Sequence, residues 1–409
     1  MREDRFIVDG MNLVRRAFHT TGGFATKSGY PTGILYTVIR VVHALLREGK
    51  DVCDVIFCWE GMEGRAWRKA IYPQYKANRK PDSDSDRELF NTQIQDVEVF
   101  LQCCGITQIR ARTMEADDVI GLLCTCYTSD DIHDHIVSTD KDFLQLLNHK
   151  TSMGTESPSQ SNKYYTTNIK GEVICGADEI APSPEAAFMR RVLMGDTSDG
   201  IKGVGGLGVM RSHAVVNSAP RSNEDIVAYL TRRRDEEKTF NSRTVCAWCD
   251  KALANLPILV RNTKLMRLGN RVCPESRDAY QCGARLIKRR LSAYAQLGNA
   301  GDGINGATYA PFAYVHINNV GVHPMWRFFS RREFASFGKN DLLDLSRHLR
   351  VMHANRFQRF EQLSKQAPGY ILPQGSAGDA VAMREALLEK IKAPTLKEVG
   401  ALTLPRGVA

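Results

Sequence analysis

The sequence lacks any long uninterrupted hydrophobic run. A membrane-spanning helix needs about 18 or more apolar residues, whereas Arg40 and His43 interrupt even the apolar segment from Ile34 to Leu46. The first residues also lack the apolar core and small-residue cleavage site of a secretory signal, because a charged start leads directly into Phe6-Ile7-Val8. We therefore expect a soluble protein with no membrane partner that remains in the cytoplasm.

The sequence also lacks internal repeats and a cysteine pattern typical of a disulfide framework. Its 11 cysteines are odd in number and scattered through 409 residues, which is typical of reduced thiols. With 43% hydrophobic and 25% charged residues, the composition is that of a globular protein with room for two or three domains. A chain that is disordered throughout is excluded.

Acidic residues are outnumbered by basic ones. Lys and Arg total 55 against 46 for Asp and Glu, which gives a net charge of +9. Such a surplus favours a polyanionic partner or an acidic membrane surface. The acids nevertheless occur in short clusters, which metal ions would explain, while nucleic acid would explain the excess of bases.

The first part of the chain alternates between strand and helix patterns. Short apolar runs predict buried parallel strands at Phe6–Val8, Val55–Trp59 and Ile136–Ser138. Helical spacing of apolar residues predicts helices over Thr32–Leu46, Leu89–Leu101 and Asp117–Thr125. This order predicts an open α/β sheet.

The later part of the chain has a different pattern. Ser183 is a candidate N-cap before Pro184, and the sequence is then mainly helical to about Leu297. Gly and Asn are frequent over residues 298–306, which predicts a linker. We therefore expect a first domain over residues 1–180, a helical region over 181–297 and a C-terminal extension of unknown role over 307–409.

Carboxylates follow three of the predicted strands. Asp9 follows the first, Glu60 the second, and Asp140 and Asp142 the third. Open α/β sheets bind their ligands at the carboxyl ends of their strands. Any one of these acids could simply be a residue that favours a turn. That interpretation is weaker for three strands that are each followed by an acid.

Two further groups of acids occur at turns or helix starts. Glu115, Asp117 and Asp118 open a predicted helix, where the helix dipole alone favours acids, yet three acids so close together would repel each other without cations. Asp196 and Asp199 lie in a turn-forming sequence. Mg²⁺ and Mn²⁺ prefer oxygen ligands, and two such ions about 3.5 to 4 Å apart can catalyse phosphodiester hydrolysis. The acids therefore predict a site for two Mg²⁺ ions, with Mn²⁺ as a substitute.

Basic and aromatic residues interleave between residues 65 and 80. A solvated basic helix would explain the charges but not the aromatic residues. Bases neutralise phosphates and aromatic rings stack on unpaired bases, which together suit a single strand or a frayed end. The residues predicted to contact nucleic acid here are Arg68, Lys69, Tyr72, Tyr75 and Lys80.

Taken together and in this order, the motifs resemble those of the 5′-nuclease superfamily, which includes flap endonucleases, phage 5′ to 3′ exonucleases and the N-terminal domain of bacterial DNA polymerase I. The resemblance covers roughly residues 5 to 220. The matching segments are Phe6–Asn12, Tyr72–Arg79, Glu115–Gly121, Ser138–Leu146, Gly195–Gly200 and Gly203–Gly208.

The resemblance implies a PIN-like catalytic domain with a helical arch near residues 62–92, followed by a helix-three-turn-helix that binds duplex DNA, often with K⁺. One metal ion would be held mainly by Asp9, Glu60, Glu115 and Asp117. The second would lie near Asp118, Asp140, Asp142, Asp196 and Asp199. Lys76 and Arg79 occupy the positions of phosphate-contacting bases that stabilise the transition state.

The same resemblance assigns duplex contacts to the glycine-rich loop, through Lys202, Gly203, Gly205, Gly206, Gly208 and Arg211. The implied substrates are DNA 5′ ends, flaps and RNA primers, and replication proteins are possible partners, in a bacterial cytoplasm or a phage-infected cell. Two positions depart from the family pattern. Glu60 stands where aspartate is usual, and Met210 stands where a lysine is common.

Alternative functions and sites remain open from the sequence. A PIN-type endoribonuclease would share the acid-tipped sheet, and a non-catalytic DNA-binding factor would keep the fold but lose several acids. Exonuclease and endonuclease activities are not distinguished. Cys246 and Cys249, with Cys273 and Cys282 downstream, are a weak candidate for a structural zinc site because the second pair lacks close spacing.

Overall fold

A computed structural model describes residues 2–49, 51–79, 81–155, 164–239, 243–269, 273–293 and 339–366. Lys80, the predicted linker and most of the C-terminal extension lie outside these ranges. None of the described helices combines the length and the hydropathy that a bilayer crossing requires.

The secondary structure alternates between strands and helices in its first half and is mainly helical afterwards. The strands are β1 Glu3–Asp9, β2 Asp54–Trp59, β3 Thr107–Arg110, β4 Ile132–Val137, β5 Thr151–Gly154, β6 Tyr165–Thr167, β7 Val173–Cys175, β8 Asp178–Ala181, β9 Gly195–Asp196 and β10 Ile201–Lys202. The helices are α1 Gly10–Thr21, α2 Gly33–Glu48, α3 Ala66–Ile71, α4 Asp84–Cys103, α5 Ala116–Cys126, α6 Pro184–Met194, α7 Val209–Val215, α8 Ile226–Thr239, α9 Arg243–Leu253, α10 Leu256–Met266, α11 Arg277–Ala293 and α12 Lys339–Gln366. Short 3₁₀ helices cover Lys141–Leu146 and Pro274–Ser276.

Within the described residues, the central sheet has eight strands in the order β3-β2-β1-β4-β5-β6-β7-β8. The pairings from β3 through β5 are parallel, and those from β5 through β8 are antiparallel. At the centre, Ile7 of β1 pairs with Ile56 of β2 and Ile136 of β4. The predicted α/β architecture with a parallel-strand core is therefore confirmed.

Hydrophobic side chains alternate across β1 because successive residues of a strand point to opposite faces. Phe6 and Val8 join the core that α2 and α4 cover, whereas Ile7 joins the core that α5 covers. Helices α6 to α10 surround a third core. The parallel strands are thus buried on both faces, and ligands can reach them mainly at their ends.

Two helices from the later part of the chain pack on the helices that cover the sheet. Helix α11 packs on α5, and the Tyr127 hydroxyl donates to the carbonyl of Ala284. Helix α12 packs on α2 through Leu345 and Leu349, which are buried in the first core. These late helices carry apolar stripes that complete the two faces of the sheet.

The described part of the predicted arch, residues 62–79 and 81–92, contains α3 and the start of α4, with turns over residues 73–78. Its middle lies against the loop before β10. The Lys76 backbone N–H donates to the Asp199 carbonyl at 2.8 Å, and the Asn78 side chain donates to the Thr197 carbonyl at 2.7 Å. This segment, called the arch segment below, therefore covers the acid-bearing turn.

Candidate active site

Three adjacent parallel strands bring acids to one edge of the sheet. Asp9 ends β1, Glu60 directly follows β2, and Asp140 follows β4 after a two-residue step. Since β1 lies between β2 and β4, these carboxyl ends are neighbours, as the sequence predicted. Helix α5 adds Glu115 as its N-cap and Asp117 in its first turn.

Asp9 is held rigidly at this edge. Its carboxylate is 5% exposed and accepts hydrogen bonds from the backbone of Asn12 and the hydroxyl of Ser138, both at 3.0 Å. Burial, together with the charge of Asp140, raises the pKa of Asp9 to about 6 despite these hydrogen bonds. The sequence did not identify Ser138 as a positioning residue, although it directly follows β4.

Mutual repulsion also affects Glu60 and Asp117. Burial and then the charge of Glu115 raise the pKa of Glu60 to about 7. Burial raises the pKa of Asp117 well above its usual value, with further contributions from Asp9, Asp140 and Glu60. Burial is the main cause of these shifts, and the repulsion among the acids that adds to it would be relieved by a bound cation.

A second group of acids surrounds Arg191, which the sequence analysis missed. Arg191 forms ion pairs with Asp142 and, at 2.6 Å, with Asp196. Burial and the charge of Asp140 raise the pKa of Asp142 to about 8. The pKa of Asp196 is instead lowered, since hydrogen bonds from Ser198 outweigh its burial. The sequence signal that could have identified Arg191 is its position in the last turn of α6, just before the turn that carries Asp196 and Asp199.

Lys76 and Tyr75 bring the arch segment to Glu115. Lys76 Nζ lies 2.6 Å from Glu115 Oε1 and 3.6 Å from Asp199 Oδ2, and Tyr75 donates to Glu115 Oε2 at 2.8 Å. Although burial opposes the shift, Arg68 and Lys76 lower the pKa of Glu115 to about 2. The structure thus places Lys76 among the acids.

Arg79 lies at the outer side of this group. Its guanidinium is 2.7 Å from Asp199 Oδ1, and its side chain is 47% exposed. It can therefore contact a ligand that approaches from solvent.

Arg68 and Asp118 form a buried ion pair, which differs from the surface contact predicted for Arg68. Arg68 donates to both carboxylate oxygens of Asp118, at 2.6 and 2.8 Å, and to Glu115 at 2.7 Å. Asp118 is fully buried and also accepts a 2.6 Å bond from Tyr280. Asp118 is therefore a buried ion-pair partner of Arg68. Arg68 is likewise buried, so it presents no surface to DNA.

The two tyrosines of the arch segment also differ from expectation. Tyr72 and Tyr75 are 8% and 3% exposed and belong to the third core. The Arg261 guanidinium covers the Tyr72 ring at 4.5 Å. Neither ring offers an open face for base stacking, because both are used in packing. Lys69 is exposed, and Lys80 lies outside the described residues.

The glycine-rich loop, residues 203–208, joins β10 to α7. A Cβ at Gly205 or Gly208 would meet no atom within 4 Å, so this backbone is open to a ligand. At Gly203, a Cβ would lie 2.1 Å from the Met194 carbonyl oxygen. Glycine is therefore required at position 203 for close backbone packing. This packing accounts for the residue without the predicted DNA contact.

Basic side chains surround this loop. Lys202 and Arg211 are exposed, and Arg211 donates to the Gly206 carbonyl at 2.9 Å. Lys251 of α9 places Nζ 3.0 Å from the position that a Cβ at Gly206 would occupy. The sequence analysis missed Lys251, since it is distant in the chain. Lys251 nevertheless supplies a charge close to the loop that precedes Met210.

The four candidate zinc-binding cysteines do not converge. Cys249 is buried in the third core, whereas Cys273 packs against the second. Within the described ranges, the sole trio of His, Cys, Asp or Glu ligands with all atoms within 4.8 Å is His43, Asp344 and His348. The active-site carboxylates are thus spaced more widely than direct ligands of a single ion.

Comparisons with known proteins agree with this geometry. Residues 4–173 match the family described as 5′-3′ exonuclease, N-terminal resolvase-like domain. DNA polymerase I of Caldicellulosiruptor bescii is 32% identical over 207 residues, which cover 49% of this chain and 23% of that protein. The 5′-3′ exonuclease of Buchnera aphidicola is 28% identical over 211 residues, or 52% of this chain and 69% of that protein. The chain therefore spans about a quarter of the polymerase relative.

The fold is also found in a solved structure. T5 5′-exonuclease with bound zinc ions aligns with a TM-score of 0.50 and 19% identity, over 70% of this chain and 99% of that one. This similarity confirms the PIN-like 5′-nuclease fold. The family match covers the three central strands and the acids at the ends of β1, β2 and β4, so residues 4–173 of this chain are similar to the 5′-3′ exonuclease family.

Proposed function

We propose that this chain is a divalent-metal-dependent 5′-nuclease that hydrolyses phosphodiester bonds of DNA. The observation that carries the proposal is the concentration of negative charge where Asp9 and Glu60, at the ends of β1 and β2, meet Asp117 at the start of α5. Divalent cations would neutralise this excess charge at neutral pH. The relatives named above, a 5′-3′ exonuclease and a DNA polymerase I, support the same chemistry.

The acids fit Mg²⁺ better than a softer metal, because all of them offer oxygen. Asp9, Glu60, Glu115 and Asp117 would hold one ion, and Asp140, Asp142, Asp196 and Asp199 the second. Mg²⁺ keeps several waters when bound, which suits carboxylates that do not converge within 4.8 Å. Bound Mg²⁺, or Mn²⁺ in its place, would supply an activated water and stabilise the leaving oxygen.

Lys76 and Arg79 would act on the phosphate itself. Lys76 is held at the acids by Glu115, and Arg79 is half-exposed beside Asp199. A phosphate that enters the site competes for both cations. The fixed ammonium of Lys76 would then stabilise the negative charge that grows in the transition state, while Arg79 would orient the substrate.

Duplex DNA would bind at the glycine-rich loop, where Lys202, Arg211 and Lys251 surround an open backbone. We propose that α6, this loop and α7 form the helix-three-turn-helix, and that K⁺ assists it. A T5 flap endonuclease of the same fold has been solved with DNA and metal ions. Substrates would be 5′ ends, 5′ flaps and RNA primers in a bacterial cytoplasm or phage-infected cell, with replication proteins as partners.

The proposal is tested with one labelled strand presented as a 5′ flap, a 3′ flap, a blunt duplex, a single strand and an RNA–DNA hybrid, each with and without Mg²⁺. We expect Mg²⁺-dependent cleavage that favours the 5′ flap over the 3′ flap. Preferential cleavage of single-stranded RNA would indicate an endoribonuclease instead. Binding without cleavage in Mg²⁺ and in Mn²⁺ would indicate a non-catalytic factor.

A further inference from the structure

Two histidines and an aspartate meet where α12 packs on α2. His43 lies on α2, and Asp344 and His348 lie one helical turn apart on α12. Residues one turn apart share a helix face, and that face meets α2 because Leu345 and Leu349 are buried against it. The trio uses none of the acids of the candidate active site.

A single carboxylate oxygen lies at the centre of the trio. Asp344 Oδ2 is 2.8 Å from His43 Nε2 and 3.7 Å from His348 Nδ1. All three ligand atoms lie within 4.8 Å of one another. In a tetrahedral zinc site with bonds of about 2.0 to 2.1 Å, neighbouring ligand atoms are about 3.3 Å apart. Small side-chain rotations would therefore produce ligand spacing suited to one ion.

We propose that His43, Asp344 and His348 bind a transition-metal ion of the zinc type, which fastens α12 to the sheet domain. Two imidazoles and one carboxylate match the ligand preference of Zn²⁺ and Co²⁺ and are less suited to Mg²⁺. The side chains are 21%, 35% and 25% exposed in the order given. An ion can thus enter from solvent, and water can complete the coordination.

The other contacts of the trio are compatible with metal binding. Arg347 approaches the second oxygen, Asp344 Oδ1, at 3.3 Å and leaves Oδ2 to the histidines. His348 Nδ1 lies 2.8 Å from the Asp344 backbone carbonyl. Since only a deprotonated ring nitrogen binds a metal, coordination through Nδ1 would replace this hydrogen bond. The ligands lie about 300 positions apart in the chain, so the ion would join two distant segments.

The test uses the full chain and Co²⁺ in excess Mg²⁺, which occupies oxygen-rich sites. Wild type is compared with two ligand variants, His43→Gln and His348→Gln. Asp117→Asn alters the active-site acids, and His19→Gln is the control for loss of a histidine elsewhere. We expect an intense visible absorption of tetrahedral Co²⁺ in wild type, Asp117→Asn and His19→Gln, and its loss in His43→Gln and His348→Gln. Arg347→Ala should bind at least as tightly as wild type, because a competing cation is removed.

Amide hydrogen exchange supplies a second measurement. Zn²⁺ should slow exchange in α12 at least tenfold in wild type but not in His43→Gln. If His43→Gln and His348→Gln keep the Co²⁺ absorption and the Zn²⁺ protection of α12, the proposal is overturned. Loss of the absorption in Asp117→Asn alone would also overturn it, because the ion would then be in the active site. Cleavage of DNA is not measured, so failure here leaves the proposed nuclease activity standing.

Discussion

Lys76 Nζ lies 2.6 Å from Glu115 Oε1, which joins the arch segment directly to the N-terminus of α5. Lys76 also has a left-handed backbone conformation, with φ of 55°, and its N–H bonds to Asp199. The chain thus holds this ammonium at the acids through both backbone and side-chain contacts. A cation so fixed can act on charge that develops during the reaction without reorganisation.

Lys76→Ala should therefore lower single-turnover cleavage of a 5′ flap by about a hundredfold or more, the scale for loss of one preorganised electrostatic contact. Equilibrium binding, measured in Ca²⁺, should change little. Lys69→Ala removes an exposed lysine of the same segment and serves as the matched control. If Lys76→Ala binds the flap more weakly but cleaves it at the normal rate at saturating enzyme, Lys76 contributes to substrate binding and not to stabilisation of the transition state.

Arg68→Met should destabilise the protein by about 3 kcal/mol or more, because it leaves the buried Asp118 and Glu115 without their shared cation. Urea unfolding at constant pH measures the free energy. Arg65→Met is the control, since Arg65 is 44% exposed and lies 3.5 Å from Glu115. Equal effects of the two substitutions would contradict the buried network.

Asp117→Asn and Asp118→Asn should have opposite effects on stability. Asp117 is repelled by neighbouring acids, so its neutralisation should stabilise the metal-free protein at pH 8 and abolish Mg²⁺-dependent cleavage. Asp118 is paired with Arg68, so its neutralisation should destabilise the protein by about 3 kcal/mol while folded molecules still bind metal. The assignment fails if Asp118→Asn is as stable as wild type and lacks Mg²⁺ binding.

The raised carboxyl pKa values predict the pH dependence of stability. Asp9, Glu60 and Asp142 titrate near 6, 7 and 8 in the folded protein and near 4 when unfolded. Between about pH 4 and 8 the folded state therefore binds more protons from these groups, and their contribution to stability in EDTA falls as pH rises. Glu115, whose pKa is about 2, titrates below this window.

Asp142→Asn isolates the effect, because it removes one titrating group. Its free energy of unfolding in EDTA should fall less than that of wild type between pH 5.5 and 8. Mg²⁺ should stabilise wild type more strongly at pH 8 than at pH 5.5. Parallel curves for the variant and wild type would show that Asp142 is ionised throughout the range.

The positions of several acids could be predicted because they depend on a general rule of parallel sheets. Asp9, Glu60 and Asp140 follow apolar runs, and such strand ends share one edge. Burial of Arg68 and Tyr75 could not be read in the same way, since basic and aromatic residues in a short stretch suit a DNA-binding surface equally well. Their partners come from distant elements of the chain.

The packing of α12 was also beyond sequence reasoning. The sequence analysis assigned residues 307–409 no role, and no local pattern indicates which surface α12 covers, because the contact with α2 joins positions about 300 residues apart. Lys251 was missed for the same reason, as it reaches the glycine-rich loop from α9.

Lys251→Ala should weaken duplex binding and reduce the slope of log K against log salt by about one unit, as for the loss of one phosphate contact. Lys202→Ala should do the same. Lys27→Ala, an exposed lysine before α2, is the control. Unchanged salt slopes in both loop variants would exclude this surface as the duplex site.

The central claim is that acids at the sheet edge support Mg²⁺-dependent hydrolysis of DNA 5′ structures. The most direct test is single-turnover cleavage of a labelled 5′ flap by wild type and Asp117→Asn, each with Mg²⁺ and with EDTA. We predict cleavage by wild type in Mg²⁺ alone, and none by Asp117→Asn although it still binds the flap. Equal cleavage by the two proteins, or cleavage by wild type in EDTA, would contradict the account.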